Sequence, residues 1–437
     1  MSIPTLQGLQ TALSGLLAEQ QALDVTGHNI ANANTEGYSR ESVVMQPNPP
    51  IEIPALSTRT GRGGQLGTGV DVATYTRIRN AYLDAQYRTQ NTTLSAAGLE
   101  AEELQQAQGA FNEPSSSGIA SQLSTFWSAW SSLANSPDSE AAKQGVVAAG
   151  QQLASTFNQL SGQLTTIATQ AGEQYAARTG ASGEVQTYAN QIAQLNGQIK
   201  IAEGAGQQPN DMLDRRDLLI DKLSSLAQVS VTKRADGTDT VTFGDAGKPL
   251  IEGSTVNWPQ ALTSAAGGQL GALLGLTGPT GALGSIRASL DAVASTIAGA
   301  VNALHTSTAF FTGTTAASLA VAVKASEVQT SSTGAAGGNN VALAIAGLRG
   351  GAGDQAYSAL VEQVGSRVRT AENEQANLRT TMTAVSNQRQ SVSGVSLDEE
   401  MTNLITFQRG YQASARTLTA MDSMLETLIE KTGVVGL

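Results

Sequence analysis

The segment TLQGLQTALSGLLAEQQALDVTGHNIAN, residues 5–32, carries apolar residues at alternating spacings of three and four. This spacing predicts an amphipathic helix with one apolar seam, of the kind that packs in coiled coils. At about 1.5 Å per residue, such a helix forms a rod of roughly 40 Å. The eight seam positions, six of them aliphatic, are Leu6, Leu9, Leu13, Leu16, Gln20, Leu23, Gly27 and Ile30. A single rod cannot bury its own stripe, so this segment needs a partner.

The other end of the chain carries a matching stripe. Its ten positions, eight of them apolar, are Leu397, Met401, Leu404, Gln408, Tyr411, Ala415, Leu418, Asp422, Leu425 and Ile429. A further heptad stripe runs through residues 357–392, and its phase breaks at Ser393-Gly394, which predicts a joint between two helices. We therefore expect the two chain ends to pair as rods.

The first rod ends within TGHNIANANTEGYSR, residues 26–40, here called the elbow. Its polar side chains are typical either of an active site or of a helix end with a turn after it. We favour the turn, because Asn side chains bond nearby backbone and Gly37 permits positive φ. Tyr38 then packs its ring against the rod while its hydroxyl stays polar. The predicted turn residues are Asn29, Asn32, Asn34, Gly37 and Tyr38.

The remaining pattern predicts a mainly α chain with a small β part. An elongated helical-bundle body is expected from residues 35–226, 278–305 and 341–393, with an extended or β arm near 47–79. Residues 227–277 and 306–340 are expected to form a small β-rich outer domain, because VSVTKR and TVTF flank an Asp-Gly turn signal. The paired rods comprise residues 1–34 and 394–437.

Composition excludes several function classes. The net charge of −11 argues against nucleic acid and anionic membranes as partners. With no Cys and two His, neither a disulfide framework nor a zinc enzyme is expected, and we predict no metal or cofactor. No apolar run reaches the roughly 18 residues of a membrane span. The first residues lack a basic region before their apolar positions, which predicts no cleavable secretory signal.

Candidate chemical motifs are weak. Asp211, Asp214, Asp217 and Asp221 could form a carboxylate cluster, but their spacing favours a structural helix in which Asp211 pairs with Arg215. A set of arginines in residues 59–88 is interpreted as a subunit contact or a solvated face. The glycines of residues 61–69 and the sequence GDAGKPL do not meet nucleotide-binding patterns. His28 and His305 fit no catalytic motif, so we predict no enzyme.

Four blocks of the sequence resemble the axial proteins of the bacterial flagellum, the family of rod, hook and hook-associated proteins. They are LSGLLAEQQALDVTGHNIANANTEGYSR, GTGVDVATYTRIRNAYLDAQYR, PNDMLDRRDLLIDKLSSL and SGVSLDEEMTNLITFQRGYQASARTLTAMDSMLETLI. The first block is shared by the whole family. The third is similar to the helical body of the hook-associated protein at the hook–filament junction, and it favours that type over the hook protein.

The resemblance implies a structural subunit between hook and filament, located outside the cell after type III export. It implies four partners: copies of itself, hook protein, hook-associated protein 3, and an export chaperone at the C-terminal helix. It also implies that the apolar positions of the rods form the assembly interface. The alternatives are hook-associated protein 3 itself, another hook-like or flagellin-like axial subunit, or a secreted enzyme carried on an axial scaffold.

Overall fold

The computed structural model describes residues 4–53, 64–278 and 280–431 of the chain. Eleven α-helices and ten short strands are found in these ranges, so the fold is mainly α with a small β part, as predicted. Parts of the glycine-rich stretch and of the arginine set, including Arg59 and Arg62, lie outside the described residues.

The two chain ends are long helices that pack against each other. Helix α1 (Pro4–Asn32) and helix α11 (Leu397–Lys431) lie side by side, and the predicted pairing of the rods is therefore present within the chain. Helix α10 (Ala352–Ser393) ends where the heptad phase breaks, and Gly394 comes after it in an extended conformation. Helices α1 and α11 are called the rods below.

The body consists of helices between the rods. They are α2 (Ala81–Phe111), α3 (Ile119–Asn135), α4 (Glu140–Thr179), α5 (Glu184–Gly204), α6 (Asn210–Leu226), α7 (Gly268–Thr277), α8 (Ala282–Leu304) and α9 (Asn340–Ala346). Helix α2 runs along α10, and the N-terminus of α2 is capped by the Asn80 side chain, which accepts the Tyr82 backbone N–H. This long α2–α10 pair connects the body to the rods.

An antiparallel arm comes after the elbow. Strand β1 (Glu41–Pro47) pairs with β4 (Val70–Arg77), with a register shift between Val44 and Met45, and β2 (Ile51–Ile53) pairs with β3 (Gly64–Leu66). Strand β4 lies within the extended or β arm predicted near residues 47–79. Both β1 and β4 contact α1, so the arm folds back along the rod.

A four-stranded antiparallel sheet forms a second unit. Its strands, in spatial order, are β5 (Val229–Lys233), β6 (Asp239–Phe243), β7 (Pro249–Glu252) and β8 (Thr255–Val256). The predicted Asp-Gly turn connects β5 and β6, with Gly237 at φ +79°. This sheet packs on α5 and α6 around Ile192, Ile220 and Val241, which are fully buried.

Residues 306–340 depart from the expected outer domain. Their strands β9 (Phe311–Thr312) and β10 (Ala320–Val321) pair with each other and not with the four-stranded sheet. Phe310 and Phe311 instead pack on Phe126 of α3, with ring centroids 5.7 and 5.5 Å away. Aromatic side chains within this polar segment anchor it to the body core, and composition alone did not indicate this.

Candidate functional site

Small residues line the contact between the two rods. A Cβ added at Gly15 of α1 would lie 3.1 Å from the Ser414 hydroxyl, and one added at Gly410 of α11 would lie 2.6 Å from the Glu19 carboxylate. The backbones therefore approach closely at both positions. Larger side chains here would force the helix axes apart, because the interaxial distance depends on the side chains at the contact.

The buried face of α1 is one residue out of phase with the predicted seam. Five residues of this face are buried: Ala18, and Ala12, Ala22, Thr26 and Asn29, each of which precedes a predicted seam position by one residue. The reason is steric, since small residues allow the close approach and the leucines lie beside it. On α11 the buried position is Glu400, which also precedes a predicted seam residue by one.

The predicted seam residues divide into two groups. The half-buried ones are Leu9, Leu16, Leu23, Ile30, Leu404, Tyr411, Leu418 and Leu425. The exposed ones are Leu13, Leu397, Met401 and Ile429. The side chain of Leu6 lies outside the described residues. The paired rods thus leave an apolar surface that this chain does not cover, with Leu13 42% and Met401 59% exposed.

Asn29 connects four parts of the elbow. Its Nδ2 donates to the Glu41 carbonyl at 2.9 Å and to the Glu400 carboxylate at 3.2 Å. Its Oδ1 accepts the Tyr38 hydroxyl at 2.7 Å and the Glu41 backbone N–H at 2.9 Å. One buried amide side chain therefore holds the end of α1, the reversing chain, the start of β1 and the start of α11 together.

The other predicted elbow residues form the turn itself. Gly37 has φ +82°, and a Cβ there would lie 3.0 Å from Leu218 of α6. Asn32 donates its amide to the His28 carbonyl and accepts the Thr35 hydroxyl, whereas Asn34 is exposed. Burial, together with the Glu41 carboxylate, raises the pKa of Tyr38 above its ordinary value, so the hydroxyl keeps its proton and donates. The elbow is a turn built from hydrogen bonds.

Arg40 ties the elbow to the other rod. Its Nε donates to Glu400 and its NH1 donates to Glu399, both at 2.7 Å, and its backbone N–H bonds the Ser393 carbonyl at 2.9 Å. Sequence reasoning did not identify Arg40 or Glu400, because nothing in their local patterns indicates a pairing across 360 positions.

A buried ion cluster lies beneath the elbow. Arg77 of β4 donates to Asp214 at 2.6 Å, and Arg88 of α2 donates to Asp221 at 2.7 Å. Further members are Arg79, Arg389, Asp84 and Asp217. The Ser39 backbone N–H and hydroxyl both donate to Asp214. The cluster thereby joins the elbow, the arm, α2, α6 and α10, and this region is called the rod–body joint.

This cluster corrects two interpretations. Arg77, Arg79 and Arg88 are not a solvated face or a subunit contact, because their side chains are at most 11% exposed and are paired within the chain. Asp211 contacts His28, and the expected pair with Arg215 is not among the ion pairs of the described residues. Burial alone would raise the pKa of Asp217, but the Arg79, Arg77 and Arg88 guanidiniums overcome this and lower it to about 2.

The joint borders an open cavity of about 590 Å³ lined by residues 33–39, Asn91, Lys222 and Arg389, among others. Its main polar groups are already engaged. Asn91 donates to the Asp221 carbonyl and the Ser224 hydroxyl, and Arg389 pairs with Asp221. These bonds connect α2, α6 and α10 and stabilise the joint.

The two histidines have different environments. His305 is buried, bonds the Thr308 carbonyl through Nδ1 at 2.6 Å, and accepts the Gln329 backbone N–H at Nε2. His28 is partly exposed and lies with Glu41 and Asp211 in a group whose ligand atoms are within 4.8 Å of one another, a geometry open to a metal ion.

Among the described helices, none combines the length and the apolar character that crossing a membrane requires.

Comparisons with known proteins match three parts of the chain to flagellar family models. The model described as the flagellar hook-associated protein FlgK helical domain matches residues 104–265. The model for flagella basal body rod protein matches residues 9–38, and that for the flagellar basal body rod FlgEFG protein C-terminal region matches residues 386–431. The matches of residues 9–38 and 386–431 overlap the rods, and the match of residues 104–265 covers part of the body.

Two of the similar proteins share one name. Flagellar hook-associated protein 1 of Bacillus subtilis (strain 168) is 31% identical over a 508-residue alignment that covers 99% of each chain. Its namesake in Escherichia coli (strain K12) is 30% identical over 59% of this chain and 45% of that protein. A solved structure, that of the flagellar hook junction protein FlgK from Burkholderia pseudomallei, is 26% identical over 51% of this chain and 43% of that chain, with a TM-score of 0.44.

Proposed function

The chain belongs to the family of flagellar hook-associated protein 1, a structural component of the flagellum, and we propose that it forms the junction between hook and filament. In this proposal it is exported by the type III route and assembled by packing of its terminal helices. Among axial subunits, the match of residues 104–265 to the helical domain of the hook-associated family favours the junction over a rod or hook position. The matches at the chain ends do not distinguish these positions, because rod and hook proteins share them.

The observation that carries the proposal is the apolar surface left on the paired rods. It comprises Leu13, Leu17, Leu397, Met401, Ile405, Met424 and Ile429, all exposed. Exposed apolar surface on paired helices is typical of interaction sites. Since α1 and α11 already pair through their small residues, this surface is the face that packs against neighbouring copies of the chain. The half-buried seam residues extend it towards the contact.

The geometry of such contacts fits a polymer. A patch on one side of the rods that meets a different patch on the next copy makes a heterologous contact, and a heterologous contact that does not close generates a helical assembly. In the proposal, hook protein lies on one side of the assembled subunits and hook-associated protein 3 on the other. An export chaperone covers the exposed residues of α11 before secretion, and the subunit has no catalytic role.

The rod–body joint gives this assembly a defined orientation. Its hydrogen bonds and ion pairs hold the rods at one angle to the body, so that neighbouring bodies are placed when the rods pack. We assign the elbow residues Asn29, Asn32, Asn34, Gly37 and Tyr38 to this positioning role. The elbow thereby determines where the body lies once the rods have packed.

Deletion of either rod tests the proposal. Cells that lack their own copy of the gene would be supplied with the full chain, with a chain lacking residues 1–30, or with a chain lacking residues 397–437. The full chain should restore filaments. Both deletions should leave a folded body that is absent from flagella, with filament subunits lost to the medium. Normal filaments on cells with either deletion would contradict the proposal.

A further inference from the structure

His28, Glu41 and Asp211 come from three different elements. His28 lies on α1, Glu41 begins β1, and Asp211 lies in the first turn of α6. The His28 Nε2 and Asp211 Oδ1 atoms are 3.4 Å apart, and one ligand atom from each of the three residues lies within 4.8 Å of the others. The three side chains thus converge at the point where rod, arm and body meet.

The spacing of the first pair matches a coordination shell. In a tetrahedral site with metal–ligand distances of about 2.0–2.1 Å, neighbouring ligand atoms lie about 3.3–3.4 Å apart. Asp211 has a side chain that is 75% exposed, so it can rotate without disturbing the core. Glu41 is held in place by its backbone, which bonds Asn29 through both its N–H and its carbonyl.

The charge pattern of the joint sets these carboxylates apart. Asp84, Asp214, Asp217, Asp221 and Glu400 each pair with at least one arginine. By contrast, no Lys or Arg of the described residues forms an ion pair with Glu41 or Asp211. The charged or polar ring nearest to the Glu41 and Asp211 carboxylates is therefore the His28 imidazole, whereas the other carboxylates of the joint pair with arginine guanidiniums.

The space around the three residues is also free of fixed cations. A cavity of about 310 Å³ is lined by His28, Glu41, Asp211 and their neighbours Tyr75, Gln208, Pro209, Asn210 and Met212. None of these neighbours carries a positive charge. The two carboxylates and the imidazole therefore border an open space in which no lining residue supplies a competing positive charge.

We propose that His28, Glu41 and Asp211 bind one divalent transition-metal ion of the Zn²⁺ class, which links the rod to the arm and the body. One imidazole nitrogen with two carboxylate oxygens is a ligand set that suits Zn²⁺ and its first-row neighbours better than Ca²⁺ or Mg²⁺, which prefer oxygen ligands. A site with three protein ligands leaves a fourth position for water, which the open cavity admits. The ion stabilises the joint and performs no chemistry.

The composition of the chain simplifies a test of Zn²⁺ binding. With no Cys and two His, a titration of the untagged full chain with Zn²⁺ can be followed at individual imidazoles by NMR. His28 should shift on binding, whereas His305, whose ring nitrogens are both engaged, should not. Calorimetry should give one ion per chain.

Two variants remove ligands with little effect on the core. His28→Gln and Asp211→Asn change a partly exposed and an exposed side chain, and each should weaken Zn²⁺ binding about tenfold or more. The matched control is Asp236→Asn, which alters an exposed carboxylate of the β5–β6 turn and should bind as the unaltered chain does. Circular dichroism verifies that all variants are folded.

Each result of these measurements either supports or overturns the proposed site. Loss of binding in both ligand variants, with the His28 imidazole shifted in the unaltered chain, supports the site. If His28→Gln and Asp211→Asn bind Zn²⁺ as tightly as the control, or if the His28 signals do not move, the proposal is overturned. Hydrogen exchange gives the structural readout, since Zn²⁺ should slow exchange at the end of α1 in the unaltered chain and not in the His28→Gln variant.

Discussion

Asn29 and Glu400 are joined by a hydrogen bond of 3.2 Å that spans 371 positions of the sequence. It connects the end of the first rod to the start of the second, and both residues are buried, each 1% exposed. The same Glu400 carboxylate accepts from Arg40, and the same Asn29 amide holds the start of β1. The pairing of the rods and the path of the elbow are therefore fixed by shared side chains.

Replacement of Asn29 by Ala tests this connection. It removes the acceptor of the Tyr38 hydroxyl, both side-chain partners of the Glu41 backbone and one of the two donors to the Glu400 carboxylate, which keeps its bond from Arg40. We expect a loss of about 1–3 kcal/mol in the free energy of unfolding. The matched control is Asn34→Ala, an exposed position in the same turn, which should change stability by less than about 0.5 kcal/mol. Denaturant unfolding of both variants measures the difference, and equal stabilities would contradict the role of Asn29.

Gly37 is tested by Gly37→Val. A β-branched residue is strained at φ +82°, and its Cβ would approach Leu218, so we expect a loss of about 2 kcal/mol and impaired assembly. Gly27→Ala is the opposite case, because this helical glycine has open space around it and the change should stabilise the chain by about 0.5–1 kcal/mol. Thermal unfolding measures both signs. A Gly37→Val chain as stable as the unaltered one would argue against the elbow.

The ion cluster predicts a specific sensitivity to acid. The pKa of Asp217 in the folded chain, about 2, lies below its ordinary value of 3.8. Its contribution to stability is therefore complete well above pH 4 and is lost as the pH falls from about 4 towards 2. Asp217→Asn leaves buried arginines undercompensated and should cost about 3–5 kcal/mol at neutral pH, with a flatter acid transition.

The control for the cluster is Lys200→Ala, which removes an exposed ion pair with Asp236. Exposed pairs contribute little, so stability at neutral pH and the acid transition should both stay close to those of the unaltered chain. Urea unfolding between pH 2 and 7 compares the three proteins. If Asp217→Asn behaves like Lys200→Ala, the cluster does not support the joint.

The two faces of the rods predict different phenotypes. Gly15→Leu overpacks the contact with Ser414 and should destabilise the α1–α11 pair by about 1–3 kcal/mol. Leu13→Ser alters an exposed apolar position and should leave the isolated chain about as stable as before, within about 0.5 kcal/mol, while weakening assembly. Unfolding and incorporation into flagella are measured for both. A Leu13→Ser chain that assembles normally would contradict the assembly role of the exposed face.

The sequence predicted what depends on local pattern. The heptad spacing located both rods, the break at Ser393-Gly394 located the end of α10, and the glycine of the elbow indicated positive φ at Gly37. Each of these features depends on residues that are neighbours in the chain. The phase of the rod contact was missed because hydrophobic periodicity favours leucines, whereas close helix approach selects glycine, alanine and serine.

The remaining features depend on contacts between distant residues. Arg77 meets Asp214 across 137 positions, and the pattern of either segment alone is equally typical of an exposed charged surface. Likewise, the aromatic pair Phe310 and Phe311 joined residues 306–340 to the body core and not to the outer sheet. A single sequence carries no signal for such pairings, because the residues involved are brought together only by the tertiary fold.

The central claim is the position of this subunit in the flagellum. Electron microscopy of assembled flagella, labelled with an antibody against the four-stranded sheet domain of residues 229–256, locates it directly. We predict one narrow band of label at the boundary between hook and filament. Label distributed along the filament or along the hook, or flagella without label in cells that produce the protein, would contradict it.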